Sequence, residues 1–167
     1  KLFHWLIDQK AWSLVDELVA RFDGQIRRVP VLLYLLAETQ AEQGKTALAE
    51  KTAEQALSLR QAKNRSQLNE RRALAMELWQ RGRPDWAKRE FRYVLDNGAK
   101  GDIVTILTQH SYARMLHDRG EVREAAEVLK ELVDHFAKNP DAAEQMGIDS
   151  KATSARMHYF YACHYQT

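Results

Sequence analysis

The chain has a single cysteine, Cys163, among its 167 residues, which excludes an internal disulfide framework. Three prolines and seven glycines are too few for a low-complexity linker or a fibrous repeat. No run approaches the ~18 consecutive apolar residues that a membrane span requires, and no membrane partner is expected. Alternation of apolar and polar residues, the mark of a half-buried strand, does not occur. Charge of one sign is also lacking. Twenty-five basic and 23 acidic side chains leave a net charge of +2, too little to argue by itself for nucleic acid or a membrane surface. A glycine-rich phosphate loop, a nucleophile elbow and a paired-carboxylate signature are all missing, so neither an enzyme nor a cofactor is expected. No signal-peptide pattern follows Lys1, and both ends read as cuts through a longer protein.

What is present is a folded composition, 45% apolar and 29% charged, in a chain long enough for a real core. It is organised by an internal repeat. Gly44, Gly82 and Gly120 stand at a constant interval of 38 residues. An alanine precedes each by seven residues (Ala37, Ala75, Ala113) and another follows by five (Ala49, Ala87, Ala125). Apolar residues recur at helical spacing on both sides of each glycine, as in Leu74, Ala75, Leu78 and in Val122, Ala125, Ala126, Leu129. The reading is helix, tight turn, helix. Glycine supplies the left-handed backbone that ends the first helix, and the flanking alanines let the two helices approach. Pro30 and Pro84 suit a first helical turn, Asp102 and Ser66 are expected N-caps, and Asn97-Gly98 a helix end. Before the first full repeat, Gln9-Lys10 stands where the turn glycine would be. After the last, 137–148 reads as an extended loop with a helical turn over 141–145.

The Leu-Ala dipeptides Leu36-Ala37 and Leu74-Ala75, with Tyr112-Ala113 in the same place, the glycine seven residues on and the alanine five beyond resemble the tetratricopeptide repeat. The period of 38 is longer than the usual ~34. The bulky position early in the first helix is Leu33 in one repeat, but Arg71 and Gln109 in the next two. The resemblance implies an all-α, right-handed superhelical solenoid of antiparallel helix hairpins. As one such solenoid, the chain divides into units of about 1–27, 29–62, 66–98 and 102–138, with an incomplete unit at 149–167.

The resemblance also implies a function, a protein–protein interaction scaffold that takes a peptide or helix in a concave groove lined by each first helix. By position, the groove residues are Tyr34 and Glu38, then Asn69, Arg72, Met76 and Trp79, then His110, Arg114 and His117, and last Arg156 and Tyr159. Arg72, Arg114 and Arg156 hold comparable helix positions near Trp79 and Tyr159. Arginine grips carboxylates in bidentate fashion and aromatics give stiff contact area, so an acidic protein or peptide is the expected partner. The same arginines read equally well as solvated charges, with Trp79 packed between helices. His110 and His117 share a helix face, yet two histidines fall short of the three or four ligands of a zinc site, and Asp118 is out of phase. Residues 60–92 carry ten basic and four acidic side chains, and 121–150 carry three basic and eight acidic. Nucleic-acid binding would need a larger excess. A structural segment without a ligand of its own is the second reading. The aromatic-rich ends, Leu2, Phe3, Trp5 and Leu6 and then Met157, Tyr159, Phe160, Tyr161 and Tyr165, predict self-association unless those rings turn inward.

Overall fold

Among the described residues five turns close in the same way, and glycine explains four of them. Gly44, Gly82, Gly120 and Gly147 adopt φ of +78°, +74°, +78° and +64°. In each case the next residue's N–H donates back to the carbonyl five positions earlier, as from Arg83 to Leu78 at 2.9 Å and from Glu121 to Leu116 at 2.9 Å. This is the bonding of a helix terminated by a left-handed residue. The fifth turn uses Lys10, with φ +52°, and Ala11 N–H donates to Leu6 O at 2.9 Å. A lysine therefore occupies the glycine position, at the steric cost that any Cβ meets there.

The computed structural model describes residues 2–59, 61–145 and 147–165, and it falls into two compact units, Lys1–Gln61 and Ala62–Thr167. Among the described residues every regular element is a helix. The first unit holds α1 (Leu2–Asp8), α2 (Trp12–Ile26), α3 (Pro30–Glu42) and α4 (Thr46–Ser58). Helix α3 pairs with α4 and is flanked by α1 and α2. The alanines expected to permit close approach, Ala37 and Ala49, are 0% and 1% exposed. Across this pair the Thr52 hydroxyl donates to Gln40 Oε1 at 2.8 Å. Helix α2 is bent at Phe22, whose φ and ψ of −122° and 23° leave the helical region.

The second unit holds α5 (Arg65–Gln80), α6 (Pro84–Asn97), α7 (Ile103–Asp118), α8 (Val122–Lys138), α9 (Pro140–Gln145) and α10 (Ser150–Tyr165). Helix α5 pairs with α6 and α7 with α8, α7 packs on both members of the preceding pair, and α10 lies along α8. Ala75, Ala87, Ala113 and Ala125 are buried to within 1% at the crossings. Fully buried Phe91 and Tyr112 meet between α6 and α7 with ring centroids 5.6 Å apart. Burial of a side chain of that size contributes roughly 1.5–3 kcal/mol. Asp102 caps α7 through Oδ1, which accepts from Val104 N–H at 2.8 Å. Ser66 is not the cap of α5. Asn64 is, accepting from Gln67 N–H at 3.0 Å, while Ser66 lies inside the first turn.

Polar groups complete the second core. Arg71 is the departure from Leu33 in the repeat pattern, and it is buried. Its Nη1 donates to Glu90 Oε2 at 2.7 Å, with side-chain exposures of 8% and 0%, and its guanidinium lies 3.9 Å from the centre of the Tyr93 ring. The Leu-to-Arg change is thus compensated across the hairpin. Between α6, α7 and α8, Glu124 receives hydrogen bonds from Lys88 and Arg92 at 2.7 Å each and from the Tyr112 hydroxyl at 2.5 Å. Lys88 also binds Glu121, which in turn accepts from Arg119.

Candidate functional site

Helices α5, α7 and α10 carry the expected groove residues of the second unit, and each helix is phased by its buried side. On α7, Tyr112, Ala113, Met115 and Leu116 point inward and are at most 1% exposed. The next positions round the helix, Arg114 and His117, are therefore pushed outward. On α10, buried Met157 and Phe160 set the phase and leave Arg156 and Tyr159 exposed. On α5, buried Arg71, Leu74, Ala75 and Leu78 leave Asn69 exposed and Arg72, Met76 and Trp79 half-buried.

These residues meet in pairs. The Arg114 guanidinium lies 5.8 Å from the Trp79 ring centre, bridging α7 to α5. Cation–π contacts at that range are worth about 0.5–1 kcal/mol at exposed sites. His117 stacks on Phe160 with centroids 4.5 Å apart and planes within 18°, and Tyr159 approaches the same imidazole at 5.8 Å. Arg114, His117, Asp118, Arg156, Tyr159 and Phe160 enclose an open-sided cleft of about 370 Å³. Arg72 donates to Asn69 Oδ1 at 3.1 Å, so these two neighbours orient each other.

His110 sits at the edge of this group. Burial lowers its basicity first, and the positive charge of Arg156 lowers it further. Its Nε2 is buried without a hydrogen-bond partner among the described residues. The cleft thus has two exposed guanidiniums, an aromatic floor and one acid, Asp118, whose Oδ1 lies 3.6 Å from His117 Nδ1.

Two groove residues fall elsewhere. Tyr34 and Glu38, on α3 of the first unit, are buried at 2% and 7% exposure and offer little surface. Two residues of the cleft were absent from the expected set. Asp118 looked out of phase but reaches the cleft because it ends α7, and Phe160 was read as a ring at the chain's end. Its burial at 4% exposure forms the floor on which His117 stacks, and only the α7–α10 packing makes that visible. Among the aromatic residues of the ends, Phe160 turns inward, while Trp5 and Tyr159 are each 57% exposed. Tyr165 lies where no side chain is described. Among the described residues no group of three or more His, Cys, Asp or Glu is placed to hold a metal ion.

Residues 30–55 and 106–131, the hairpins α3–α4 and α7–α8, match the family model of the tetratricopeptide repeat. With its paired helices and left-handed turn glycines, the chain is an all-α helical-repeat protein, and the match of two of its hairpins supports the tetratricopeptide-repeat family. No curated protein and no solved structure matches it. Repeats of this family generally mediate protein–protein interaction, and no described helix is long and apolar enough to cross a membrane.

Proposed function

We propose that the second unit binds an acidic segment of a protein partner on the face made by α5, α7 and α10. The observation that carries this reading is the cleft of Arg114, Arg156, His117, Tyr159 and Phe160, continued across Arg114 onto Trp79. A guanidinium already held against an aromatic ring loses little freedom when it takes a carboxylate in bidentate fashion, so the site is organised before binding. Tyr159 and Trp79 add stiff apolar area beside the charge, the combination enriched at energetic centres of protein interfaces. Tyr34 and Glu38 take no part in this surface, which is confined to the second unit. The family background supports a protein partner, and the excess of positive charge supports an acidic one.

The test uses the full chain against an array of peptides of matched length carrying net negative, neutral or net positive charge. Acidic sequences with an apolar residue beside the charge are expected to bind, and Arg114→Ala with Arg156→Ala is expected to weaken them by about 2 kcal/mol or more. Affinity capture repeated with Arg72, Trp79 and Arg114 all changed to Ala then asks whether one specific partner is lost. Unchanged capture and unchanged peptide binding would instead favour a structural segment with no ligand of its own.

A further inference from the structure

A second cavity, of about 380 Å³, lies in the α7–α8 hairpin against the loop that precedes α7. It shares no residue with the face just described. Three of its lining residues are Lys100 of the loop, Gln109 of α7 and Glu131 of α8. One repeat earlier, 38 positions back, the same three places are Ala62, Arg71 and Tyr93. There the protein's own side chains occupy the space. Arg71 lies 3.9 Å over the Tyr93 ring, and the Tyr93 hydroxyl accepts the Ala62 N–H at 2.8 Å. In the later hairpin glutamate replaces the ring and the shorter glutamine replaces the arginine. The volume that a phenol fills in one repeat is open in the next.

The walls are built for a ligand with an apolar body and a charged end. Ile106 and Leu132, both 1% exposed, form an apolar floor with Leu95. The Thr105 hydroxyl, on the same wall, is buried without a hydrogen-bond partner among the described residues. Native structures seldom leave such a group unpaired unless something else satisfies it. Lys100 of the loop stands at the rim with Glu131, Asp134, His135 and Lys138 of α8. Asp134 is already engaged by Lys130 at 2.5 Å, whereas among the described residues no ion pair holds Lys100 or Lys138. His135 is seated over Gly101, where φ is +81° and any Cβ would meet the imidazole at 2.5 Å. His135 is thereby held in place, and with Asp134 paired to Lys130 the rim sets Lys100 and Lys138 against Glu131, an excess of one positive charge.

We propose that this cavity binds a small aromatic acid, its ring in the place that Tyr93 fills one hairpin earlier and its anionic group toward Lys100 and Lys138. The volume is near the lower end of ligand pockets, which run to roughly 300–1,000 Å³, and suits a single ring with a short acidic arm. The acid complements the unpaired lysines, and the ring removes apolar floor from water.

The full chain is titrated with 4-hydroxyphenylacetate, with p-cresol and with tyramine, and followed by amide resonances and by thermal unfolding. The acid is expected to give saturable shifts centred on Gly98, Gly101 and the last turn of α8. It should bind about tenfold more tightly than tyramine, whose ammonium faces the lysines. Exchanging Lys100 and Lys138 for Ala, both exposed and remote from the core, should weaken the acid about tenfold without changing the fold. Glu131→Tyr imports the plug of the preceding hairpin and should abolish binding; should that variant not fold, the lysine pair decides. Absence of a saturable shift with the acid, tyramine binding as tightly as the acid, or undiminished binding in the lysine variant would overturn the assignment.

Discussion

Replacing Arg71 with Leu tests how the second unit tolerates a charge in its core. The substitution installs the residue that the preceding repeat carries at the same position, Leu33, so by sequence pattern it should stabilise. The structure says otherwise. Arg71 Nη1 and Glu90 Oε2 are 2.7 Å apart, and the glutamate side chain is 0% exposed. At an effective dielectric constant near 20, two charges at that distance attract by about 6 kcal/mol, and the desolvation of both ions offsets most of it. Removing one partner keeps the desolvation and loses the attraction, a change that typically costs about 3–5 kcal/mol. The contact with the Tyr93 ring goes as well. In urea, with m near 1–3 kcal/mol per molar, this moves the midpoint of the second unit down by about 2 M. The double variant Arg71→Leu with Glu90→Thr reproduces the Leu33 and Thr52 pair of the earlier hairpin. It should recover to within about 1–2 kcal/mol of the parent, because the stranded carboxylate is gone. An Arg71→Leu protein within 1 kcal/mol of the parent, or a double variant as unstable as the single, would refute the reasoning.

The two kinds of left-handed turn should respond in opposite directions. Gly82→Ala loses about 1 kcal/mol from backbone strain alone, since a Cβ there meets nothing within 4 Å, while Lys10→Gly gains about 0.5–1 kcal/mol; paired thermal melts decide both. Gly98→Ala fails for a different reason, because its Cβ would overlap the Thr105 hydroxyl and approach Val94 O to 2.8 Å. Such overpacking costs about 1–3 kcal/mol, to be measured as a lowered urea midpoint. Acid should loosen the α6–α7–α8 contact. Burial alone pushes the Glu124 carboxyl up, but hydrogen bonds from Lys88, Tyr112 and Arg92 outweigh it and hold it down at about 2. A lowered carboxylate contributes stability above its ordinary range near 4.5 that is lost as pH falls toward 2. The shift is worth roughly 3 kcal/mol at face value and about 1–2 after allowance for solvent screening. Unfolding measured from pH 6 to pH 2.5 should therefore be less pH-dependent in Glu124→Gln, and equal slopes would count against the network.

The helix hairpins were legible in the sequence because their causes are local. A glycine at φ near +75° ends a helix wherever it stands, an alanine at the crossing permits close approach, and helical spacing marks the buried stripe. Even Lys10 in the glycine's place could be read from the register. Outward placement of Arg114, His117, Arg156 and Tyr159 followed from the same phase. What packing alone decided involves partners far apart in the chain. Arg71 was a departure from the bulky position of the repeat, and only the fold shows Glu90 and Tyr93 enclosing it. Phe160 looked like a ring at a chain end until α10 laid it against His117. The cap of α5 passed from Ser66 to Asn64 through a single hydrogen bond. The open cavity behind Gln109 and Glu131 leaves no mark on local periodicity, because a missing ring is seen only where neighbouring helices fail to fill its volume. Backbone preference and apolar spacing act over a few residues and can be read along the chain. Charge pairing, stacking and voids depend on distances between helices, which only the folded structure sets.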